Sequence, residues 1–348
     1  MRTTTGWKIS GGTTALERVQ LERRDLRVSD IAVRVDYCGV CHSDLHAVHV
    51  MDGVVPGHEF IGTVTELGSA AARFAVGDRI AVGTVVDSCG TCKNCLAGEE
   101  IYCTTGWSPT YGGPDRVDGT MQQGGYSREY VINEKYAFPL PTGLDPAKAA
   151  PLMCAGITVW APLRKANVGP GSRVAVAGLG GLGHLAVKFA AALGAEVTVL
   201  SRTPDKEKDA RALGATDFVV TTDEAQVKQA YGSFDLIIDT ISATHDLDPE
   251  ILMLDLDGEL SLLGVSWEIP VNNLLLLIGR KRLSSSATGG LPATAEMLAF
   301  AAEHGIEPDV EVLPSARVQE ALDRLEANDV RYRFVLDLAD LDQTPAQH

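Results

Sequence analysis

The chain has 348 residues, of which 45% are hydrophobic and 22% charged, and its formal net charge is −16 at pH 7. That length implies two domains, since single cores seldom grow beyond about 250–300 residues. The acidic balance argues against a nucleic-acid or anionic-membrane partner, because such surfaces bind clustered Lys and Arg. Small anions can still be held in local basic pockets.

The opening "MRTTTGWKIS" lacks the apolar core of a signal peptide. The most apolar-looking stretch, Val174 to Leu200, is interrupted by His184, Lys188, Glu196 and several glycines, too often for a membrane span. The expectation is a cytoplasmic, enzyme-sized protein in a compartment that keeps thiols reduced.

The first third reads as short strands punctuated by glycine. "IAVRVDY" (Ile31–Tyr37) alternates as a half-buried strand does, and "EFIGTVTELG" and "DRIAVGTVV" have similar β-branched content. "CGVCHSDLH" (Cys38–His46) and "GHE" (Gly57–Glu59) lie at or just beyond such strands, where loops carry function. Then comes "DSCGTCKNCLAGEEIYC", with Cys89, Cys92, Cys95 and Cys103 inside seventeen residues. Disulfides do not suit a reduced compartment. A ferredoxin-type cluster would have its fourth cysteine three residues on, before proline; here it follows seven residues later and precedes Thr104. A closed, four-thiolate zinc site fits better, and closed sites are structural.

A working metal must then be sought among Cys38, Cys41 and Cys154 and the eight histidines. Cys41, His58 and Cys154 together would leave a fourth position open for water or substrate. Singly each has a plainer reading, Cys154 as a small buried hydrophobe above all; only the combination points to catalysis.

Near Asp145-Pro146, a plausible N-cap and first helical position, alanine-rich segments begin. From Val174 the pattern becomes strand–helix–strand. "VAVAG" is a wholly apolar run of the parallel-sheet kind, followed by "EVTVL", "TDFVV", "DLIIDT" and "ELSLLG". "ALGA" occurs at Ala192–Ala195 and Ala212–Ala215, each time with a glycine that would close a helix before a strand. These are βα units of a doubly wound α/β sheet. "VRYRFVLDL" (Val330–Leu338) returns to strand character.

"GLGGLG" (Gly178–Gly183) fits G-x-G-x-x-G, and its place between a buried strand and a helix gives the match its weight. Gly178, Gly180, Gly181, Leu182 and Gly183 would let the backbone and a helix N-terminus approach a pyrophosphate. The next strand ends in Ser201-Arg202 with Lys206 beyond, where an NAD site would carry Asp or Glu. This reads as NADP, against the plainer view of Arg202 and Lys206 as solvated helix charges.

The sequence resembles the zinc-dependent medium-chain dehydrogenases, specifically the cinnamyl alcohol dehydrogenase-like branch. The matching motifs are "YCGVCHSDLH", "VPGHE", the four-cysteine stretch, "GGYSREYV", "PLMCAGITVWAPL", "GLGGLGHLAVK", "TAEMLAFAAEHGI" and "DVRYRFVLDL". The resemblance implies a mostly β, chaperonin-10-like catalytic domain from residues 1–150 and 290–348, with both zinc sites, around a Rossmann domain of residues 151–289. It implies an active site in the cleft between the domains. Cys41, His58 and Cys154 then match the catalytic zinc ligands and Glu59 the glutamate beside the metal. Ser43 matches the hydroxyl that passes the substrate's proton, His46 the outer histidine of that relay, and Asp44 a partner behind the ligands. His42 matches a residue near the cofactor pyrophosphate, and Trp107 an aromatic wall of the substrate pocket, against plain core packing. Ser201, Arg202 and Lys206 match the segment that reads the 2′-phosphate.

The activity implied is reversible, NADPH-preferring reduction of aldehydes, aromatic or medium-chain, to primary alcohols, with two zinc ions per chain. The alternative is a secondary alcohol or polyol dehydrogenase of the same superfamily. A zinc-independent quinone reductase would have no reason to keep Cys41, His58 and Cys154 together. A zinc-ribbon nucleic-acid module sits badly with the charge and the dinucleotide fingerprint. A homodimer is expected, with a tetramer as the other possibility. The stretch Cys41–His58 is several residues shorter than in typical members, which leaves the substrate's size and shape open; His49 within it reads as surface. Cys38 reads as a buried spare thiol.

Overall fold

The computed structural model describes residues 1–12 and 14–343. β-branched and apolar residues dominate "DIAVRVDYCGV", and this stretch, Asp30–Val40, becomes the spine of a seven-stranded sheet. Phe60–Leu67, Glu129–Asn133 and Arg333–Asp337 each pair with it antiparallel. Arg79–Val82 and Ala137–Pro139 extend the sheet on one side, and Val310–Pro314 on the other. Inward-facing side chains such as Ile31, Val33, Val35, Phe60, Ile80 and Phe334 are fully buried and form this unit's core. A two-stranded ribbon, Arg2–Ile9 with Leu16–Arg23, was not foreseen from sequence.

Two expected strands differ in extent. "DRIAVGTVV" splits into Arg79–Val82 and Val85–Asp87. The break falls at Gly83, where a Cβ would stand 2.9 Å from the Met153 carbonyl oxygen, so a neighbouring turn occupies the space a continuing strand would need. "VRYRFVLDL" forms ladder pairs only over Arg333–Asp337.

The second unit carries six parallel strands in the order Asp217–Val220, Glu196–Ser201, Arg173–Ala177, Phe234–Asp239, Leu254–Leu262, Arg282–Ser285. Reading outward from Arg173–Ala177, the first strand in sequence, this is the doubly wound order, reversing between Arg173–Ala177 and Phe234–Asp239. Both "ALGA" glycines end helices with left-handed φ, +90° at Gly194 and +111° at Gly214, where a side chain would be strained. Asp145 caps its short helix through the Ala147 and Lys148 N–H groups.

The units are residues 1–154 with 290–348, and residues 155–289. The first therefore runs on through Cys154, past the Ala150 expected as its limit, because the turn Ala150–Met153 packs on strands of the first sheet. Among the described residues, no helix is long and apolar enough to cross a membrane.

Candidate active site and metal centres

The three candidate ligands of a working metal are assembled by strand register. Cys38 pairs with Phe60, so Cys41, just beyond one strand end, comes beside His58, just before the other strand begins. Phe334 pairs with Val40, which delivers Arg333 to the same end of the sheet. Cys154 follows the Ala150–Met153 turn, which lies against Asp30–Val40, Phe60–Leu67 and Arg79–Val82. Gly57 admits the approach to His58 with φ +99°, and a Cβ there would meet the Tyr126 ring at 2.6 Å.

The donor atoms of Cys41, His58 and Cys154 lie within 4.8 Å of one another. The two sulfurs are 3.9 Å apart, too far for the ~2.05 Å bond of a disulfide. Tetrahedral zinc with bonds of ~2.3 Å to sulfur would set its thiolates about 3.8 Å apart, so the spacing fits that ion. Electrostatics point the same way. The Cys154 thiol and then His58 hold Cys41 well below the usual thiol range against the cost of burial, while Cys154 is raised in turn.

Asp44 holds this set in place. As the third residue of the helix His42–Val50 its carboxylate reaches back to the Cys41 N–H (3.0 Å), a capping-box contact. It also accepts from the Gly57 N–H (3.1 Å) and the Tyr126 hydroxyl (3.2 Å), and lies 3.2 Å from His58 Nδ1. That last contact fixes the imidazole and leaves Nε2 for a metal, the carboxylate–histidine arrangement that orients zinc ligands.

Glu59 is fully buried; Oε1 accepts from the Arg333 guanidinium, and Oε2 has no hydrogen-bond partner among the described residues. Burial pushes its carboxyl up to about 7, opposed by Arg333. An unpaired buried carboxylate oxygen beside three metal donors is what a glutamate near an ion would present. Sequence reasoning gave Arg333 no role; the pair spans 274 positions, and no local spacing signals it.

Ser43 Oγ is 3.8 Å from Cys41 Sγ. His46 lies one turn further on the same helix and is exposed, as is His42. No direct hydrogen bond joins Ser43 to His46 among the described residues. Trp107 is half-buried and packs against the core of this unit. His49 is exposed, 3.7 Å from a Glu326 carboxylate oxygen, and Cys38 is a fully buried free thiol.

Cys89, Cys92, Cys95 and Cys103 also converge within 4.8 Å, with 3.9 Å between the sulfurs of Cys89 and Cys95, again the zinc spacing. A multi-iron cluster binds its cysteines to separate irons and needs wider spacing. Backbone N–H groups of Cys92, Cys95 and Cys89 point at the sulfurs of Cys89, Cys92 and Cys103. The Thr91 and then the Cys92 N–H hold Cys89 down to about 5, and the Cys95 and then the Thr104 N–H hold Cys92 to about 7. Four sulfurs fill a tetrahedron, so this ion would be a staple.

In the second unit the glycine turn follows the strand Arg173–Ala177. Gly178 has φ +85°, and a Cβ on Gly183 would stand 1.9 Å from the Gly178 carbonyl oxygen, so only glycine fits. Gly180, Gly181 and Leu182 lead into the helix Gly183–Ala192. Thr240 Oγ1 braces the turn by donating to the Ala177 carbonyl (2.8 Å). Strand Glu196–Ser201 ends with Ser201 half-buried and Arg202 exposed, its guanidinium without an ion-pair partner among the described residues. Lys206 instead donates to the Leu179 carbonyl (3.2 Å) and so lies over the glycine turn.

Residues 28–142 match the alcohol dehydrogenase GroES-like domain and residues 181–303 the zinc-binding dehydrogenase family. The NADP-dependent alcohol dehydrogenase C 1 of Mycolicibacterium smegmatis is 46% identical over 350 residues, covering 98% of this chain and 99% of its own. Among solved structures, a cinnamyl alcohol dehydrogenase of Sorghum bicolor superposes with a TM-score of 0.93 at 38% identity, over 100% of both chains. A Helicobacter pylori cinnamyl alcohol dehydrogenase complexed with NADP(H) gives 0.90 at 32%, over 97% of this chain and 98% of its own.

Proposed function

This chain belongs to the zinc-binding alcohol dehydrogenase family with a GroES-like domain, and on that premise we propose that it reduces aldehydes to primary alcohols, reversibly, with NADPH preferred. The observation that carries the reading is the donor set of Cys41, His58 and Cys154, three protein ligands with a fourth position to spare. When bound, zinc supplies Lewis acidity to the reacting carbonyl and the nicotinamide supplies the hydride.

The chain's own residues do the rest. Asp44 fixes the orientation of His58, and Arg333 keeps Glu59 from standing as a lone buried charge. Ser43 carries the proton to the product oxygen, and His46, exposed one turn on, exchanges it with solvent. Ser201 and Arg202 receive the 2′-phosphate, a role supported by the missing carboxylate at the strand tip and the unpaired guanidinium. Lys206, over the glycine turn, contributes from the pyrophosphate side. Aromatic and medium-chain aldehydes are the proposed substrate class, with Trp107 as one wall of their pocket; the named cinnamyl alcohol dehydrogenases support it.

The protein works as a homodimer joined through the second unit. Strand Arg282–Ser285 is that sheet's edge, and Trp267, Leu274, Leu277 and Ile278 beside it in sequence are all more than half exposed. Seven free cysteines suit the reducing cytoplasm. The test is initial rates of cinnamaldehyde reduction with NADPH and with NADH on the zinc-loaded protein. Turnover with a strong NADPH preference is expected; a preference for NADH would overturn the 2′-phosphate assignment, and no turnover with either would overturn the substrate class.

A further inference from the structure

A second unit that needs only a dinucleotide for the proposed reaction also gathers three acid–base side chains that the reaction does not use. Asp239 ends the strand Phe234–Asp239, His245 sits in the loop after it, and Glu250 lies in the helix Asp248–Met253. Their donor atoms fall within 4.8 Å of one another. His245 Nε2 is 3.3 Å from Asp239 Oδ2 and 3.7 Å from Glu250 Oε1.

Burial makes this grouping unusual. Asp239 is 2% exposed and Glu250 6%, so two carboxylates share a site largely removed from water, which is costly unless their charge is met. Asp239 Oδ1 is satisfied by the Ile241 N–H at 2.8 Å. Among the described residues Glu250 Oε2 has no hydrogen-bond partner, and His245 Nε2 faces both acids at ion-pair distance without a well-aligned hydrogen bond to either. His245 Nδ1 lies 2.9 Å from the Ala243 carbonyl oxygen. Glu250 and Asp239 raise the imidazole to about 9 against its partial burial, so without an ion Nε2 carries a proton toward the acids; a metal ion would displace that proton and take its place, while Nδ1–H donates to Ala243 as the second contact that metal-binding histidines show. Tetrahedral coordination with bonds of ~2.1 Å would space donors about 3.4 Å apart, between the two distances observed.

We propose that Asp239, His245 and Glu250 bind one divalent first-row metal ion, of the manganese or zinc class, separate from both sulfur sites. One imidazole with two carboxylates suits those ions better than calcium, which wants six to eight oxygens, or the thiophilic metals. The site sits where the strand order reverses: Ala177 pairs with Asp239 across adjacent parallel strands, the place where open α/β sheets hold ligands. Thr240, next in the chain, is the residue whose hydroxyl braces the glycine turn. An ion here ties the start of that loop to the following helix.

The test uses the full chain with both sulfur sites filled by zinc, dialysed against about 1 mM Mn2+, a level that reaches weak carboxylate sites. Manganese does not displace zinc from thiolates. Bound metal is counted by elemental analysis and its coordination followed by electron paramagnetic resonance. One Mn2+ per chain is expected in the wild type, falling at least tenfold in Glu250→Gln and in His245→Gln, with zinc content and circular dichroism unchanged. No uptake by the wild type would mean that the cluster is an ion pair between an imidazolium and two acids, and would overturn the proposal. So would uptake that survives in both variants. Should one variant fail to fold, the other decides.

Discussion

Asp44→Asn is expected to loosen the catalytic metal site without touching a ligand. Each carboxylate oxygen of Asp44 faces two donors: Oδ1 faces the Gly57 N–H and His58 Nδ1, and Oδ2 the Cys41 N–H and the Tyr126 hydroxyl. An asparagine of the same shape must turn its NH2 toward one of these pairs. The less costly choice is the second, because the Tyr126 hydroxyl can rotate to accept, which leaves the Cys41 N–H unpaired. One buried donor without a partner costs about 1–3 kcal/mol. At about 2–4 °C of melting temperature per kcal/mol, the variant should melt several degrees lower. The loss of the charged partner behind His58 should weaken zinc binding at that site about 10–100-fold. Competition with a chromophoric chelator measures the affinity, and the four-cysteine ion, held far from Asp44 in sequence, serves as the internal control. Unchanged zinc affinity together with an unchanged melting temperature would refute the assignment of Asp44 as the residue that positions the ligands.

Other outcomes follow from the same geometry. Arg202→Ala removes a charge-assisted contact worth about 1.5–3 kcal/mol, so KM for NADPH should rise about 10–100-fold while KM for NADH stays put; steady-state kinetics with both cofactors decide. Arg333→Met strands the Glu59 carboxylate in a fully buried site, a cost of about 3–5 kcal/mol, and Glu59→Gln in the same chain should return much of it, which thermal melts of the three variants would show. Cys103→Ser opens the four-thiolate site: elemental analysis should find one tightly held zinc fewer, and the protein should melt lower while the wild-type NADPH affinity is kept.

Legibility tracked how local the physics is. Five of the six parallel strands could be read because each carries a short apolar run, and the helix ends because Gly194 and Gly214 must adopt left-handed φ; the edge strand Arg282–Ser285, "RLSS", has no such run and was not foreseen. The cysteine staple could be read because its four donors lie within seventeen residues. Cys41, His58 and Cys154 came chiefly from resemblance, since 113 positions separate the two cysteines and only the register of an antiparallel pair brings the first beside His58. The buried pair Glu59–Arg333 and the trio Asp239, His245 and Glu250 carry no spacing signature, because tertiary packing alone decides their meeting. Strand ends were misjudged where a neighbour intervenes, as the Met153 turn does at Gly83. Trp107, half-buried against the core, satisfies packing whatever else it does.

The most direct test of the central claim compares wild type with His58→Ala for NADPH-dependent reduction of cinnamaldehyde, with NADPH affinity measured alongside by fluorescence. Loss of one ligand from the Cys41–His58–Cys154 set removes the Lewis acid, so kcat should fall by more than about 1000-fold while NADPH still binds within about twofold of wild type. A variant that keeps a tenth or more of the wild-type rate would contradict the account, because the reduction would then not depend on a metal held by those three side chains.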